Sequence, residues 1–193
     1  MSTNLFIGQK IRLSAPDIDK DPALIAAWSR DPDFVQMLSS GIARPWTTVA
    51  AKKEMAENLG ENEPKPNLFS FLLRTLEPAG QASRLIGLAD LSLEHWSQRD
   101  AFIGIGLGER ADWGQGYGTD AMRLILRYAF DELNLRRITL TVFEYNERAQ
   151  RTYRKLGFQE EGRLRQRLNR YGRRWDMLFM GLLREEWKSS HDT

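Results

Sequence analysis

Two runs with glycine at every second position carry the strongest chemical signal in the 193-residue chain. They are Ile103-Gly104-Ile105-Gly106-Leu107-Gly108 and, shortly after, Trp113-Gly114-Gln115-Gly116-Tyr117-Gly118-Thr119. Side chains alternate across an extended strand, so Gly104, Gly106 and Gly108 leave one face bare while Ile103, Ile105 and Leu107 supply the other. Glycine weakens a strand interior, and the return is close approach of a ligand, another backbone or a packed helix. The second run lies where a strand should give way to a long helix. A glycine-rich turn there can aim successive N–H groups at one point, and the positive end of the helix dipole adds to them. The natural occupant is a phosphate or pyrophosphate; a plain turn is the alternative. Two better-known phosphate loops fail on spacing. No glycine here begins G-x-x-x-x-G-K-[ST], and the third glycine of a dinucleotide fingerprint is replaced by Thr119 or, in the earlier run, Glu109.

The elements that must hold these runs follow from periodicity. Residues 68–76, 84–93 and 101–107 read as strands separated by turn-rich segments. Residues 116–133 form the clearest helix: Ala121, Leu124, Ile125, Tyr128 and Ala129 recur at the spacing of a core-facing stripe, widened by Met122, Leu126 and Phe130. Residues 137–143 are apolar on both faces, as in a sheet interior. A short helix over 146–156 has Asn146 as N-cap, Glu147 in its first turn and Gly157 just past its end. Residues 158–168 and 174–183 close a hairpin around 169–172. Upstream, 10–13 is a short first strand and 17–28 a helix, with Asp-Pro pairs at 21–22 and 31–32 as punctuation. A second helix over 47–59 takes Thr47 or Thr48 as cap and Gly60 as stop, and 61–67 is a loop. The order of helices, strands and closing hairpin predicts an α/β architecture with a mixed sheet.

Composition narrows the chemistry. The chain has 28 basic and 26 acidic residues, a net charge of +2, with 41% apolar and 28% charged residues, the mix of an ordinary globular protein. The absence of cysteine excludes a disulfide framework, a thiolate metal site and a cysteine nucleophile. With only His95 and His191, neither a metal cluster nor a Ser-His triad can be assembled. No apolar run approaches a membrane span and the opening residues lack a signal-peptide pattern, so the cytoplasm is the expected location. Charge is uneven: residues 136–176 hold 12 basic and 5 acidic residues. An arginine-rich third can hold an anionic ligand or a nucleic acid, or be a solvated surface.

Gly114-Gln115-Gly116-Tyr117-Gly118-Thr119 at a helix start, a following strand, and Asn146-Glu147-Arg148-Ala149-Gln150-Arg151-Thr152-Tyr153-Arg154-Lys155-Leu156-Gly157-Phe158 together resemble the GNAT superfamily of acetyl-CoA-dependent N-acetyltransferases. Within it the likeness is to the branch of ribosomal-protein alanine acetyltransferases and spermidine acetyltransferases, and it spans residues 86–183. The resemblance implies a GNAT-type α/β fold with a mixed, mostly antiparallel central sheet flanked by helices. It implies one domain over 1–193, with 1–66 a helical acceptor-pocket region and 67–183 the sheet and acetyl-CoA-binding core. The strand edge at Gly106, Leu107 and Gly108 would bond the pantetheine arm, and the amides of Gly114, Gln115, Gly116, Tyr117, Gly118 and Thr119 would cradle the pyrophosphate. Asn146 would bond the cofactor near the pantetheine, and Tyr153 would protonate the departing thiolate. The position before Gly114, usually Arg or Gln in the family, is Trp113 here, which removes one polar contact and leaves the amides. Acetyl-CoA is the implied cosubstrate, with no metal.

Acetyl transfer asks for little machinery. A neutral amine attacks the thioester carbonyl, so the site must shed one proton, stabilise an oxyanion and protonate a sulfur. Tyrosine, with a pKa of about 10, stays protonated at neutral pH and can donate. Tyr153 also falls on the stripe of its helix, where a core role is the alternative. The base is open: many relatives carry Glu where this chain has Phe102, and Glu94, His95, Asp100 and Glu109 stand nearby in sequence. A water relay is a further route, and direct transfer is favoured over an acyl-enzyme. The acceptor amine is equally open, among a protein N-terminus such as that of a ribosomal protein, a polyamine, an amino sugar or another small amine. Glu54, Glu57, Glu61 and Glu63 could line an acidic pocket or simply be solvated. Trp46 and Trp96 are pocket candidates, with core packing as the plainer role. Two other functions compete: an RNA- or ribosome-binding module using the arginines of 163–174, and a non-catalytic acyl-CoA-binding protein. Dimerisation through the C-terminal hairpin is also open.

Overall fold

The computed structural model describes residues 4–59, 65–77, 83–93 and 95–189. Seven strands hydrogen-bond in the order β1-β2-β3-β4-β5-β7-β6. They are β1 (Ile11–Ser14), β2 (Leu68–Thr75), β3 (Leu85–Ser92), β4 (Asp100–Leu107), β5 (Arg137–Phe143), β6 (Gln159–Arg170) and β7 (Arg173–Leu183). The β4–β5 pair is parallel, while β1–β2, β2–β3, β5–β7 and β6–β7 are antiparallel. Among the described residues six helices accompany them: α1 (Pro22–Trp28), α2 (Pro32–Leu38), α3 (Thr48–Leu59), α4 (Tyr117–Arg127), α5 (Glu147–Lys155) and α6 (Arg184–Ser189). This is the mixed, mostly antiparallel α/β sheet that the sequence implied. The chain divides into two compact units, Met1–Ser92 with Gly104–Ile125 and Leu93–Ile103 with Leu126–Thr193.

In the first unit, β1, β2 and β3 form a meander with Leu13 opposite Leu73 and Leu72 opposite Leu88. The end of β4 is held there through the Gly108 N–H, which donates to the Ile86 carbonyl at 3.0 Å. Ile25, Ala26, Trp28, Phe34, Ala51, Met55, Leu72 and Leu85 make a buried cluster between the three N-terminal helices and the strands. The first helix is shorter than the predicted 17–28: it starts at Pro22, and residues 18–20 are a turn instead. A helix the sequence reading missed, α2, starts at the second Asp-Pro pair. Proline at a first helical position loses only an N–H that would have no partner there, and Asp31 caps by accepting from the Asp33 N–H at 3.0 Å. What looked like punctuation is therefore a helix start. Thr47 caps α3 through the Ala50 N–H at 3.1 Å. Its predicted stop at Gly60, most of the 61–67 loop and part of the turn after β2 lie outside the described residues.

In the second unit, β5 is interior: Ile138, Leu140 and Val142 are buried and it pairs with β7 along its whole length. The predicted 169–172 turn narrows to Tyr171-Gly172, both with positive φ, and the hairpin strands run up to it. Beyond α4 the predicted single helix to 133 widens into a π-turn over Tyr128–Glu132 that buries Ala129 and Phe130. Phe130 meets Trp187 of the unforeseen α6 with ring centroids 6.1 Å apart. Asn146 caps α5 by accepting from the Ala149 N–H at 3.2 Å, and Gly157 with φ 96° ends it, as the sequence indicated. No helix among the described residues is long and apolar enough to cross a membrane.

Candidate functional site

In the first unit the chain leaves β4 through one 3₁₀ turn (Arg110–Asp112) and enters the second glycine run. Gly114 and Gly116 have φ of 79° and 86°, while Gln115 between them does not have positive φ. Such alternation turns neighbouring amides toward the same side and needs residues without a Cβ at the left-handed positions. A Cβ on Gly114 would meet nothing within 4 Å. Among the described residues, none of the backbone amides of Gly114, Gln115, Gly116, Tyr117, Gly118 and Thr119 donates to a protein acceptor. The first amide returned to the helix is that of Asp120, to the Gly116 carbonyl at 3.0 Å.

A residue the sequence reading did not single out stands beside this row. Lys10 Nζ donates to the Gln115 carbonyl at 2.8 Å and lies 3.5 Å from where a Gly116 Cβ would be. Its position follows from Asp120, a buried carboxylate in the first turn of α4. That carboxylate accepts the N–H groups of Gln9, Lys10 and Ile11 at 3.1, 2.7 and 3.1 Å. Gly8 leaves the space the carboxylate occupies, since a Cβ there would lie 2.5 Å from Oδ2.

The bare face of β4 is a packing face. A Cβ on Gly108 would fall inside the Trp28 indole, and one on Gly106 would sit 3.0 Å from Leu38 and 3.3 Å from Phe34. Trp28 also donates Nε1 to Glu109 at 3.1 Å. On the backbone, the Leu107 carbonyl accepts the indole N–H of Trp113 at 2.9 Å, so the tryptophan that stands in place of the usual Arg or Gln folds back on the strand end. Gly104 lies beneath Asp90 of β3, whose Oδ1 would be 2.8 Å from a Cβ at 104. Burial alone raises the Asp90 carboxyl above the ordinary range. Arg110, just before the glycine run, grips Asp31 with two hydrogen bonds at 2.7 and 2.8 Å and Asp33 with a third contact at 2.8 Å. The guanidinium holds Asp31 below its usual pKa.

In the second unit, Asn146 uses its carbonyl oxygen as the α5 cap, and its amide nitrogen has no protein acceptor among the described residues. Tyr153 packs on Phe158 with ring centroids 5.9 Å apart. Its hydroxyl has no protein partner among the described residues, and burial pushes its pKa up to about 12.

The four base candidates fare differently. Glu94 lies outside the described residues, His95 is exposed, and Glu109 is engaged by Trp28. Asp100, opposite Arg137, has a buried Oδ1 without a hydrogen bond. Trp46 and Trp96 are 39% and 45% exposed, so neither is a core residue. Glu57 is paired with Lys53, while Glu61, Glu63 and His191 lie outside the described residues. No group of three or more His, Cys, Asp or Glu suited to a metal occurs among the described residues.

Residues 10–159 match the acetyltransferase (GNAT) domain family. The chain belongs to the GNAT acetyltransferases. Across 93% of its length this GNAT protein is 26% identical to the uncharacterized N-acetyltransferase p20 of Bacillus licheniformis, of which 96% is covered. It is 33% identical to the probable N-acetyltransferase YjcK of Bacillus subtilis over 69% of this chain and 72% of that one. A spermidine N-acetyltransferase from Vibrio cholerae, solved in complex with CoA and spermine, shares the fold with a TM-score of 0.78 at 22% identity, covering 92% of this chain and 98% of the other. The protein is accordingly an acetyl-CoA-dependent N-acetyltransferase.

Proposed function

We propose that this enzyme moves the acetyl group of acetyl-CoA directly to a primary amine, either a protein N-terminus or a small amine, from one domain over residues 1–193. The observation that carries the reading is the row of six amides at 114–119 without protein acceptors among the described residues, beside the Lys10 ammonium. Pyrophosphate oxygens accept hydrogen bonds and carry negative charge, so amides at a helix start and one cation are a matching donor set. Gly106, Leu107 and Gly108 would meet the pantetheine arm by backbone, with the Gly108 N–H and the Leu107 carbonyl already in use within the protein. In the second unit, Asn146 has an amide nitrogen to offer the cofactor. Tyr153 has a hydroxyl that stays protonated at neutral pH, as a donor to the leaving thiolate must.

The arginine-rich third supports a solvated surface better than a nucleic-acid interface. Arg163 pairs with Glu160, Glu144 and Asp176, Arg137 with Glu161, and Arg154 with Glu160. A cytoplasmic location is part of the same proposal. The decisive experiment is mass spectrometry of products after incubation with acetyl-CoA and a panel of amines, alongside calorimetry with CoA. The expected outcome is a 42-Da gain (about the mass of one acetyl group less a proton, by the group-transfer stoichiometry) on one acceptor class and a measurable heat of CoA binding. No transfer and no heat would overturn the reading.

A further inference from the structure

We propose that Asp90 is the acceptor-facing carboxylate of this enzyme: it docks the acceptor ammonium, takes one proton from it, and by standing alone restricts the acceptor to monocationic amines. The inference rests on the acetyltransferase reading and adds a residue and a substrate class to it.

The geometry comes from β3 and β4 of the first unit. Asp90 lies over Gly104, where any side chain would crowd it: a Cβ there would be 2.8 Å from Oδ1 and 3.3 Å from Oδ2. Gly104 shares its face with Gly106 and Gly108, and that face is covered by Phe34 and Leu38 of α2 and Trp28 of α1. The half-buried carboxylate therefore stands at the end of an apolar wall of which Leu38 is 38% exposed. No hydrogen-bond donor or cation reaches it among the described residues.

A charge removed from water without a partner is costly, so a carboxylate kept in this state calls for a ligand that supplies the partner. Its surroundings do not: Ser70 is its register partner on β2, Gly104 lies on β4, and Leu88 and Ser92 flank it on β3. The helices over the face present Trp28, Phe34 and Leu38, while Asp31 and Asp33 are turned to Arg110. The raised pKa of Asp90 is the signature of the same isolation.

The substrate class follows from what the other carboxylates of this unit do. Asp21 is paired with Arg74, Asp31 and Asp33 with Arg110, and Asp112 with Arg84. Asp17, Asp19 and Glu57 are paired with lysines, and Glu77, Glu109 and Asp120 accept from Thr75, Trp28 and three backbone amides. Among the described residues of the unit only Asp90 and the exposed Glu54 of α3 remain. A polyamine brings several positive charges and needs several counter-charges; one ammonium on an apolar body matches one carboxylate beside Leu38 and Phe34.

The step balances without a further reagent. The bound ammonium gives a proton to Asp90, which passes it to solvent, and the neutral nitrogen attacks the thioester carbonyl to form the C–N bond. When the C–S bond breaks, the nitrogen loses its second proton and the sulfur leaves as a thiol. The products are the amide, CoA and one released proton.

The test uses the full-length enzyme with 2-phenylethylamine, L-phenylalaninamide and spermidine. With the native protein, kcat/KM for the two monoamines should exceed that for spermidine at least tenfold and rise with pH through a pKa above the ordinary carboxylate range. Asp90→Asn should lower kcat more than a hundredfold, leave CoA affinity by calorimetry unchanged and abolish that rise. Gly104→Ala, which crowds the carboxylate, should lower kcat/KM for the amine with CoA affinity intact. Rates of Asp90→Asn within threefold of native, or spermidine as the better acceptor of the native enzyme, would overturn the inference while leaving the acetyltransferase reading in place. A native protein that binds no CoA and acetylates nothing would remove both.

Discussion

Lys10 donates its ammonium to the carbonyl of Gln115 at 2.8 Å, which sets a positive charge against the turn whose amides have no protein acceptors among the described residues. The contact joins residues 105 positions apart and depends on Asp120, which fixes the Lys10 backbone. Lys10→Met keeps the length of the side chain and removes the charge. At this exposed position an ion contact with a phosphate is worth about 1 kcal/mol, so CoA affinity should weaken about fivefold. Calorimetry at low and high salt checks it: the native affinity falls with salt and the variant's falls less.

Tyr153 supplies a test of the proton donor. Tyr153→Phe should cut kcat by about two orders of magnitude, the usual reach of one acid group, with CoA affinity unchanged. Unaltered turnover would leave the tyrosine as a packing residue against Phe158.

The same hydroxyl sets a stability signature. Its pKa is raised from 10 to about 12 in the folded protein, so folding favours the protonated form. The contribution is complete below pH 10 and is lost as pH climbs toward about 12. Thermal melts between pH 9 and 12 should show the native protein losing stability more steeply than Tyr153→Phe.

Asp120 accepts three backbone N–H groups in a buried position. Asp120→Ala strands those donors, and a stranded buried donor costs about 1–3 kcal/mol. A loss of about 3 kcal/mol is expected by urea unfolding, since some of the donors can recover water. Gly8→Ala, which pushes the carboxylate from its seat, should reproduce part of it.

Gly108→Ala tests the packing face of β4. The added methyl meets the Trp28 indole, a rigid and buried ring, and overpacking of this kind costs about 1–3 kcal/mol. Denaturant unfolding gives the loss directly, and a variant as stable as the native protein would contradict the close approach.

Local signals were legible where one segment carried its own instructions. The stripe of α4 reads directly from Ala121, Leu124 and Ile125, all of them buried, and Asn146 and Gly157 mark both ends of α5. The glycine turn was legible for the same reason, since only alternating glycines tolerate its backbone. Long-range partners were not legible. Asp31-Pro32 serves equally as a turn or a helix start, and the choice is made by Phe34 reaching the core. The period-two glycines of β4 announced an open face without naming its occupant, which turned out to be Trp28, Phe34, Leu38 and one carboxylate. Asp90 itself sits in an apolar strand where nothing local distinguishes a paired carboxylate from an isolated one. Lys10 escaped notice because its importance comes from a carbonyl on the far side of the sequence.

The grip of Asp120 on residues 9–11 makes the opening of the chain part of a helix that begins more than a hundred positions later. A shortened clone that starts at β1 would remove donors from the foundation of α4, so trimming the amino end for crystallisation would erode the glycine turn at 114–119 from behind while leaving every residue of that turn in place.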